Sequence, residues 1–224
     1  MLIIAHRGAS AYEPENTLRA IVKALDIHAD MIEVDVRSSK DNQIVVIHDD
    51  KVDRTTNGSG YVKDLTLEKL KNLNAGKGEG IPTLKEVIDA IRDKAILVIE
   101  IKVLNIEKSV VKIVENEGIE EEVLITSFYH PILRKVKEFN PILKTGVIFK
   151  CHPIKSSELA LNAKANVLLP EYKYFSQEMV TESHRNDLEI FPWTVNDIDK
   201  ANYIIKMGVD GIVTNIPDIL RTKT

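Results

Sequence analysis

Acidic and basic side chains interrupt two apolar segments of this 224-residue chain at the same spacing. Glu33 and Asp35 stand two residues apart in one segment, and Glu100 and Lys102 repeat that spacing at the end of another. Residues two apart on a β-strand share a face, and neighbouring carboxylates there are costly to bury unless a cation joins them. Three carboxylates form an oxygen-rich set that suits Mg²⁺ or Ca²⁺ better than zinc. The alternative is a structural ion-pair network in which Arg7 and Lys102 neutralise the carboxylates.

Two histidines follow apolar segments directly and could work as a pair. His6 ends the first segment and His48 follows a later one. Histidine titrates near neutral pH, so such a pair is suited to general acid and base catalysis. Arg7 and Lys102 add positive charge and N–H donors for phosphate oxygens. Together with a divalent metal, these groups favour hydrolysis of a phosphate ester. The remaining histidines on predicted helices or helix starts are interpreted as structural, namely His28, His130 and His184.

Other candidates carry a weaker signal. Cys151 next to His152 suggests a thiol nucleophile, but adjacent residues on an extended segment point to opposite faces and no third partner is evident. Trp193, the sole tryptophan, stands at a predicted strand end, which favours packing against a small ligand. The remaining aromatic residues of interest either line a pocket or cover the rim of the barrel: Phe128, Tyr129, Tyr172, Tyr174 and Phe175.

Short segments rich in Ile and Val alternate with amphipathic segments along the whole chain. The former predict buried strands at Leu2–Ala5, Met31–Val36, Ile44–Ile47, Ala95–Ile101, Val123–Thr126, Lys144–Phe149, Asn166–Leu169, Leu188–Phe191 and Val209–Val213. The latter predict helices at Thr17–Ile27, Leu84–Arg92, Ile106–Glu117, Pro131–Glu138, Ser157–Ala163, Gln177–Arg185 and Asp197–Met207. Thr83 and Glu86 predict a capping box, and Gly118 and Gly208 predict helix ends.

When Ile44–Ile47 is set aside as a strand that pairs outside the series, eight strands remain, and each of the first seven is followed by a helix. Ile216–Arg221 is a short candidate for the eighth helix. This alternation predicts an α/β fold, a TIM-type (β/α)8 barrel whose reactive groups lie at the carboxyl ends of the strands. The alternative, an open doubly wound sheet, is disfavoured because no G-x-G-x-x-G motif follows the first strand. We expect residues 1–224 to form a single domain. A glycine-rich insertion after the second strand, at about 49–82, contains a small helix near Thr66–Leu73.

Composition narrows the possible partners and location. The 30 Lys and Arg against 34 Asp and Glu give a net charge of −4, which argues against an electrostatic nucleic-acid binder. No apolar run approaches the ~20 residues of a membrane span, so no stable membrane insertion is expected. A single cysteine excludes an intrachain disulfide and suits a reducing compartment, and the apolar start is too short for a signal peptide. We therefore expect a cytoplasmic protein; composition leaves its oligomeric state open.

Several short motifs follow one another along the chain in a distinctive order. Four of them are specific in combination: His6-Arg7-Gly8, Pro14-Glu15-Asn16-Thr17, Glu33-Val34-Asp35-Val36 and His48-Asp49. The series continues through Asp53-Arg54-Thr55-Thr56-Asn57-Gly58, Ile81-Pro82-Thr83-Leu84, Glu100-Ile101-Lys102, Trp193-Thr194-Val195-Asn196 and Asp210-Gly211-Ile212-Val213-Thr214-Asn215. In this order the motifs resemble those of the glycerophosphodiester phosphodiesterase family, and the resemblance covers nearly the whole chain. It implies a TIM-type barrel that cleaves glycerophosphodiesters, with a divalent metal, to an alcohol and glycerol 3-phosphate.

The resemblance also implies roles for individual residues. The implied metal ligands are Glu33, Asp35 and Glu100, and the implied acid and base are His6 and His48 in that order. The implied phosphate contacts are Arg7 and Lys102, and Asn16 is implied to hold the first loop or to contact water on the metal.

Several functional alternatives remain open at this point. The leading substrates are deacylated phospholipids such as glycerophosphocholine or glycerophosphoethanolamine. A lysophospholipase D-type activity would need an exposed apolar surface at the barrel mouth. A catalytically idle barrel that binds phosphorylated ligands is disfavoured because both histidines and all three carboxylates are present. The substrate's own hydroxyl could attack phosphorus to give a cyclic phosphate, which proximity favours, or water could attack directly.

Overall fold

Eight parallel strands follow one another around a ring, and a further short strand lies outside it. The structure, a computed structural model, describes residues 1–219. The strands are β1 Leu2–Ala5, β2 Met31–Ser38, β3 Ile44–Val46, β4 Ile96–Ile101, β5 Val123–Ser127, β6 Lys144–Phe149, β7 Val167–Pro170, β8 Glu189–Ile190 and β9 Gly211–Thr214. They pair in the order β8-β7-β6-β5-β4-β2-β1-β9, while β3 runs antiparallel to β2. The predicted eight-stranded barrel is confirmed.

Backbone hydrogen bonds close the ring between β8 and β9. The N–H of Asp210 donates to the carbonyl of Ile190 at 3.3 Å, and the N–H of Val213 donates to the carbonyl of Pro192 at 3.0 Å. On the other side of β9, the parallel β1–β9 ladder joins the first and last strands, so that residues just after β1 and just after β9 meet at one mouth of the barrel.

Helices follow the strands and cover the outside of the barrel. They are α1 Leu18–Asp26, α2 Leu67–Lys71, α3 Leu84–Ile91, α4 Glu107–Glu117, α5 His130–Phe139, α6 Ser157–Ala163, α7 Gln177–Arg185 and α8 Ile198–Lys206. Of these, α2 belongs to the segment between β3 and α3 and not to the layer around the barrel. The predicted capping box of Thr83 and Glu86 begins α3, and Gly118 ends α4 in the left-handed conformation. Of the helix expected at Ile216–Arg221, residues 216–219 form a hydrogen-bonded turn, and the remainder lies outside the described residues.

Strand residues alternate between two apolar layers. Outward-facing residues such as Ile32, Val34 and Val36 pack against the helices. Inward-facing residues fill the lower part of the barrel: Ile4, Met31, Val98, Leu124, Ile148, Val167, Leu169, Phe191 and Val213. Above this layer the inward positions of β2 and β4 become ionisable. The apolar layer therefore forms the floor on which the polar side chains stand.

The segment between β3 and α3 forms a small apolar core of its own. That core contains Val45, Ile47, Val52, Val62, Leu70 and Ile81. Arg54 from this segment bonds both carboxylate oxygens of Glu15 in the β1–α1 loop, at 2.7 and 2.9 Å. The segment is thus fastened beside the mouth of the barrel, next to the first loop.

No helix within residues 1–219 is both long and apolar enough to cross a bilayer.

Candidate active site

Three carboxylates converge at the carboxyl ends of two adjacent strands. Glu33 and Asp35 on β2 and Glu100 on β4 each offer an oxygen, and these oxygens lie within 4.8 Å of one another. Asp35 pairs directly with Glu100 in the β2–β4 ladder, which explains why the two side chains meet. All three side chains are buried. The sequence correctly predicted that these acids would come together.

The charges around this cluster leave a place for a cation. Lys102 Nζ donates to Glu100 at 2.6 Å and lies 3.4 Å from Asp35, while Arg7 Nε lies 3.3 Å from Asp35. Two cations against three carboxylates leave one negative charge in excess. Glu33 Oε1 and Asp35 Oδ1 are buried and accept no hydrogen bond from residues 1–219. Because buried carboxylate oxygens are costly to leave unpaired, this donor set fits a divalent metal ion as a hard oxygen site.

Burial and the charges of neighbouring groups shift the pKa values of the three carboxyl groups. Burial and the neighbouring charge of Asp35 raise the pKa of Glu33 well above its usual value. The same two causes raise the pKa of Glu100 to about 7. Burial also acts on Asp35, but the charges of Lys102 and Arg7 outweigh it and lower the pKa of that carboxyl. Without a cation, the cluster therefore holds protons that a metal would displace.

His6 stands at the mouth directly after β1 and points to the cavity. Its Nδ1 lies 2.7 Å from Asn215 Oδ1, so the ring donates through Nδ1 and leaves its Nε2 lone pair available. Burial, followed by the charge of Arg7, lowers the pKa of His6 to about 4. His6 is consequently neutral at pH 7.

His48 faces the same cavity from the segment after β3, with a carboxylate behind it. His48 Nδ1 donates to Asp49 Oδ1 at 2.6 Å, and Asp49 is itself held by Arg54 Nε at 2.6 Å. Burial lowers the pKa of His48, while the negative charge of Asp35 and the hydrogen bond to Asp49 act in the opposite direction. The two histidines thus differ in their supporting group, an amide for His6 and a carboxylate for His48.

The β1–α1 loop wraps around the carboxylates with unusual backbone angles. Arg7 and Asn16 have φ of 56° and 58°, a region that non-glycine residues rarely occupy. In this conformation the Arg7 N–H donates to Glu33 Oε2 at 2.8 Å, and Asn16 Nδ2 donates to Asp35 Oδ2 at 2.8 Å. Asn16 also accepts from the Asp35 N–H at 3.2 Å. The loop therefore fixes both β2 acids.

Four residues that contact the predicted site were not singled out from the sequence as site residues. Asn215 bonds His6, Asp49 bonds His48, and Arg54 joins Asp49 to Glu15, whose Oε1 accepts from Arg7 Nη1 at 2.9 Å. Each stands within one of the motifs quoted above. Their position in those motifs could have identified them, but the sequence does not show which residues pair across distant loops.

A cavity of about 210 Å³ opens in front of the carboxylates. Its polar wall includes His6, Arg7, Glu33, His48, Glu100 and Lys102, and its floor is the apolar layer of the barrel. Trp193 lines the opposite wall, with its Nε1 bonded to the Leu169 carbonyl at 2.8 Å and its ring edge-on to Phe128, centroids 5.6 Å apart. The cavity thus combines acids, two cations, two histidines and an aromatic wall.

Other sequence candidates lie outside the cavity. Cys151 and His152 are exposed in the β6–α6 loop. His130 bonds the carbonyl of Ile148 at 2.9 Å, and His184 pairs with Asp210 at 3.1 Å, which agrees with their structural interpretation.

Comparison with known proteins gives one consistent result. The model of the glycerophosphoryl diester phosphodiesterase family matches residues 6–219. A glycerophosphodiester phosphodiesterase of Caldanaerobacter subterraneus subsp. tengcongensis is 46% identical over 232 residues, which cover 98% of this chain and 96% of that protein.

Two solved structures share the fold. The glycerophosphodiester phosphodiesterase of Thermotoga maritima superimposes with a TM-score of 0.86 at 28% identity, covering 100% of this chain and 98% of that one. A phosphodiesterase of Oleispira antarctica, in complex with the product sn-glycerol-3-phosphate, gives a TM-score of 0.91 at 26% identity, with coverage of 99% and 96%. From the family match and these likenesses together, the chain belongs to the glycerophosphoryl diester phosphodiesterase family, a family of phosphoric diester hydrolases.

Proposed function

We propose that this protein hydrolyses glycerophosphodiesters, the deacylated phospholipids, to an alcohol and glycerol 3-phosphate in a metal-dependent reaction. One observation carries the proposal: buried carboxylate oxygens of Glu33 and Asp35 that accept no hydrogen bond from residues 1–219 lie beside a cavity that also holds two histidines, Arg7 and Lys102. The Oleispira relative, solved with sn-glycerol-3-phosphate, supports the same product class. The substrate is a small molecule, and no nucleic-acid partner is invoked.

The metal would be held by Glu33, Asp35 and Glu100, and Mg²⁺ or Ca²⁺ suits three hard oxygen ligands. When bound, such an ion supplies Lewis acidity and positive charge next to the phosphate. Arg7 and Lys102 bind phosphate oxygens from the same side of the cavity and hold phosphorus in place. Trp193 lines the opposite wall of the cavity and packs against the apolar part of the substrate. Asn16 positions Asp35 and holds the β1–α1 loop.

His6 acts as the general base and His48 as the general acid in this proposal. Burial lowers the pKa of both histidines; the neutral His6 has a free Nε2 lone pair that can accept a proton, whereas the Asp49 carboxylate opposes that lowering at His48. This order is opposite to the one that the family resemblance implies. The proton accepted by His6 comes from the attacking hydroxyl, and His48 returns a proton to the departing alcohol.

The attacking group is the glycerol hydroxyl next to the phosphate-bearing carbon. A clamped substrate holds that hydroxyl close to phosphorus, which gives a high effective molarity. The competing route, attack by water, uses the same residues. An analogue that lacks this hydroxyl distinguishes them: binding without reaction, and a cyclic phosphate trapped from the true substrate, support internal attack. Undiminished hydrolysis of the analogue would eliminate it.

The direct test of the function is an assay on purified protein. Release of glycerol 3-phosphate from glycerophosphocholine and glycerophosphoethanolamine should stop in excess EDTA and return when Mg²⁺ or Ca²⁺ is added. A Glu158→Gln variant, altered on the exposed face of α6, serves as the matched control for carboxylate variants in the cavity. Full activity in EDTA would refute metal dependence.

A second candidate is lysophospholipase D-type cleavage. It needs an apolar surface at the mouth, and the loops after β5, β6 and β7 expose Phe128, Ile154 and Tyr174. Such exposed side chains could contact an acyl chain on the glycerol half of the substrate. Lysophosphatidylcholine in the same assay tests it: release of choline faster than from glycerophosphocholine would favour this activity, and no release would exclude it.

We also propose that residues 1–224 act as a single domain with an insertion near 49–82, and that the protein is cytoplasmic. The single cysteine supports a reducing compartment. Limited proteolysis tests the domain proposal, since one domain should resist cleavage between the barrel and its insertion, and fractionation of cells that express the protein tests its location.

A further inference from the structure

A second recess opens beside the catalytic cavity, between the segment after β3 and the loop after β4. This side groove has a volume of about 710 Å³ and is lined by residues that include Arg37, Asp50, Tyr61, Lys63, Leu104 and Tyr129. Lys102 lines both the groove and the catalytic cavity. The two recesses therefore meet at the cation that the proposed function assigns to the phosphate.

Strand β2 leads from the carboxylates into the groove. Glu33, Asp35 and Arg37 stand at successive alternate positions and share one face of the strand. Arg37 Nε donates to the carbonyl of His48 at 2.8 Å, which fixes the plane of the guanidinium. Within residues 1–219 its two Nη atoms make no hydrogen bond and no ion pair, and Asp50 is the carboxylate whose charge acts on the guanidinium most strongly. A fixed guanidinium with free Nη donors is a ready site for an anion.

The rest of the groove is also positive in charge. Lys63 lines the groove, and its Nζ lies 5.5 Å from the centre of the Tyr61 ring. Lys51 is not a lining residue, but its Nζ lies 4.8 Å from the same ring centre. Neither lysine makes an ion pair in the described part of the chain. Asp50 is the one carboxylate among the described lining residues. Because two lysines already occupy the Tyr61 ring, that ring is not free to hold a quaternary ammonium group.

The sizes of the two recesses suit the two halves of a diester. The catalytic cavity, at about 210 Å³, fits a small group of constant shape such as glycerol. The side groove, at about 710 Å³, has room for a second group of variable size. Since every glycerophosphodiester shares its glycerol and differs in its alcohol, the larger recess matches the variable half.

We propose that the side groove binds the alcohol half of the substrate and favours alcohols that carry an anion, either a carboxylate or a second phosphate, over cationic alcohols. Arg37 presents its Nη donors to that anion, and Lys63 adds positive charge at the exposed edge. This inference rests on the proposed function and specifies its substrate class.

The test compares kcat/KM for four diesters on the metal-loaded enzyme. The alcohols are choline, glycerol, glycolate and glycerol phosphate, so that one is cationic, one neutral, one a carboxylate and one a phosphate. We expect the anionic pair to be preferred over choline, mainly through KM, and this preference to shrink at 0.5 M NaCl as the exposed charges are screened. The glycolate and glycerol phosphate arms show which anion the groove takes.

Variants locate the preference in the groove. Lys63→Glu should lower the ratio of kcat/KM for anionic over neutral alcohol by about 3- to 10-fold. Arg37→Gln should lower the same ratio by about 10-fold or more, because a charge-assisted hydrogen bond is lost. Lys94→Glu makes the same change of charge at the opposite end of the barrel, before β4, and should leave the ratio as in the wild type.

Failure of the proposed function and failure of the groove proposal give different results in this assay. Cleavage of none of the four diesters would overturn the proposed function and this inference with it. Cleavage of all four without a preference for the anionic pair, or an equal change for every substrate in Lys63→Glu, would overturn the groove proposal alone.

Discussion

The two histidines at the mouth differ in what supports each ring, and this difference is testable with a single substrate change. His48 is backed by Asp49 at 2.6 Å and His6 by the amide of Asn215 at 2.7 Å. A p-nitrophenyl ester of glycerol phosphate has a leaving group that needs little protonation. We expect His48→Ala to lose about 10²–10⁴ in turnover on glycerophosphocholine and to recover most of it on the p-nitrophenyl ester. His6→Ala should lose activity on both.

Steady-state kinetics with both substrates gives the answer, with metal content measured for each variant. Recovery of His6→Ala instead of His48→Ala would reverse the order and restore the one that the family resemblance implies. If either variant kept near-normal turnover on glycerophosphocholine, that histidine would be structural.

Substitution of Glu33 distinguishes a metal site from a structural ion-pair network. Glu33 Oε1 accepts no hydrogen bond in the described part of the chain, so an amide in its place disturbs the local hydrogen bonds little. We expect Glu33→Gln to weaken Mg²⁺ binding by more than about 100-fold. Substitution of a residue that only supports a metal ligand already lowers metal affinity by about 10- to 100-fold. Calorimetric titration of metal into Glu33→Gln and Glu158→Gln measures the difference. Equal affinities in the two variants would favour the network.

The sequence was informative about the site residues for a physical reason. Ionisable residues spaced by two on an apolar strand have few structural uses, so Glu33 with Asp35, and Glu100 with Lys102, were recognisable without a fold. Asn215 was not, because an isolated asparagine near a strand end has many structural uses. Its link to His6 arises only when the ring closes and brings residues 209 positions apart into contact.

The β1–α1 loop positions Arg7 and Asn16 against the carboxylates, and Gly8 allows this loop to pack closely against α1. Gly8 has φ of 75°, and a Cβ there would lie 2.7 Å from the backbone of Ala20 in α1. Gly118 also has a left-handed φ, of 67°, but a Cβ there meets nothing within 4 Å. Gly118→Ala should therefore cost about 1 kcal/mol of unfolding free energy from backbone strain alone. Gly8→Ala should cost about 3 kcal/mol or more, because α1 must also move.

Urea unfolding of both variants tests this comparison. A smaller loss of stability for Gly8→Ala than for Gly118→Ala would show that the loop adapts without strain. Activity provides a second measurement, since displacement of Arg7 and Asn16 in Gly8→Ala should lower turnover more than Gly118→Ala does.

At the element scale, periodicity located the helices to within one or two residues but began the last strand two residues too early. Val209–Val213 was expected, and Gly211–Thr214 is observed. Val209 is apolar and buried, yet it packs with the helices, so hydrophobicity begins before the ladder does. The ladder itself starts where Gly211 pairs with Leu2, a register that the local sequence does not encode. Likewise β8 covers only Glu189–Ile190, although the N–H groups of Phe191 and Trp193 still donate to the carbonyls of Leu168 and Pro170 beside it.

The stability of the whole molecule depends on whether the carboxylate cluster holds protons or a metal ion. Burial and the charge of Asp35 raise the pKa of Glu100 to about 7 in the folded chain, and Glu33 is shifted in the same direction. A carboxyl whose folded pKa lies above its unfolded value contributes stability that is fully present below the unfolded pKa, near 4.3. That contribution is lost as the pH rises through about 7. The metal-free protein should therefore lose stability across this window from the cluster alone.

A divalent cation reverses that loss, because it binds the deprotonated cluster and competes with protons. We expect saturating Mg²⁺ to raise Tm very little at pH 5 and by about 5–10 °C at pH 8, where ligand at 100 times Kd adds about 2.7 kcal/mol. Scanning calorimetry at several pH values, with EDTA and with Mg²⁺, measures the shift without any assay of activity. In Glu100→Gln the metal-induced rise at pH 8 should disappear, and the metal-free Tm should fall less between pH 5 and 8 than in the wild type. A rise in Tm that is the same at pH 5 and pH 8, or that survives in Glu100→Gln, would place the bound cation elsewhere and leave the carboxylates as an ion-pair network with Arg7 and Lys102.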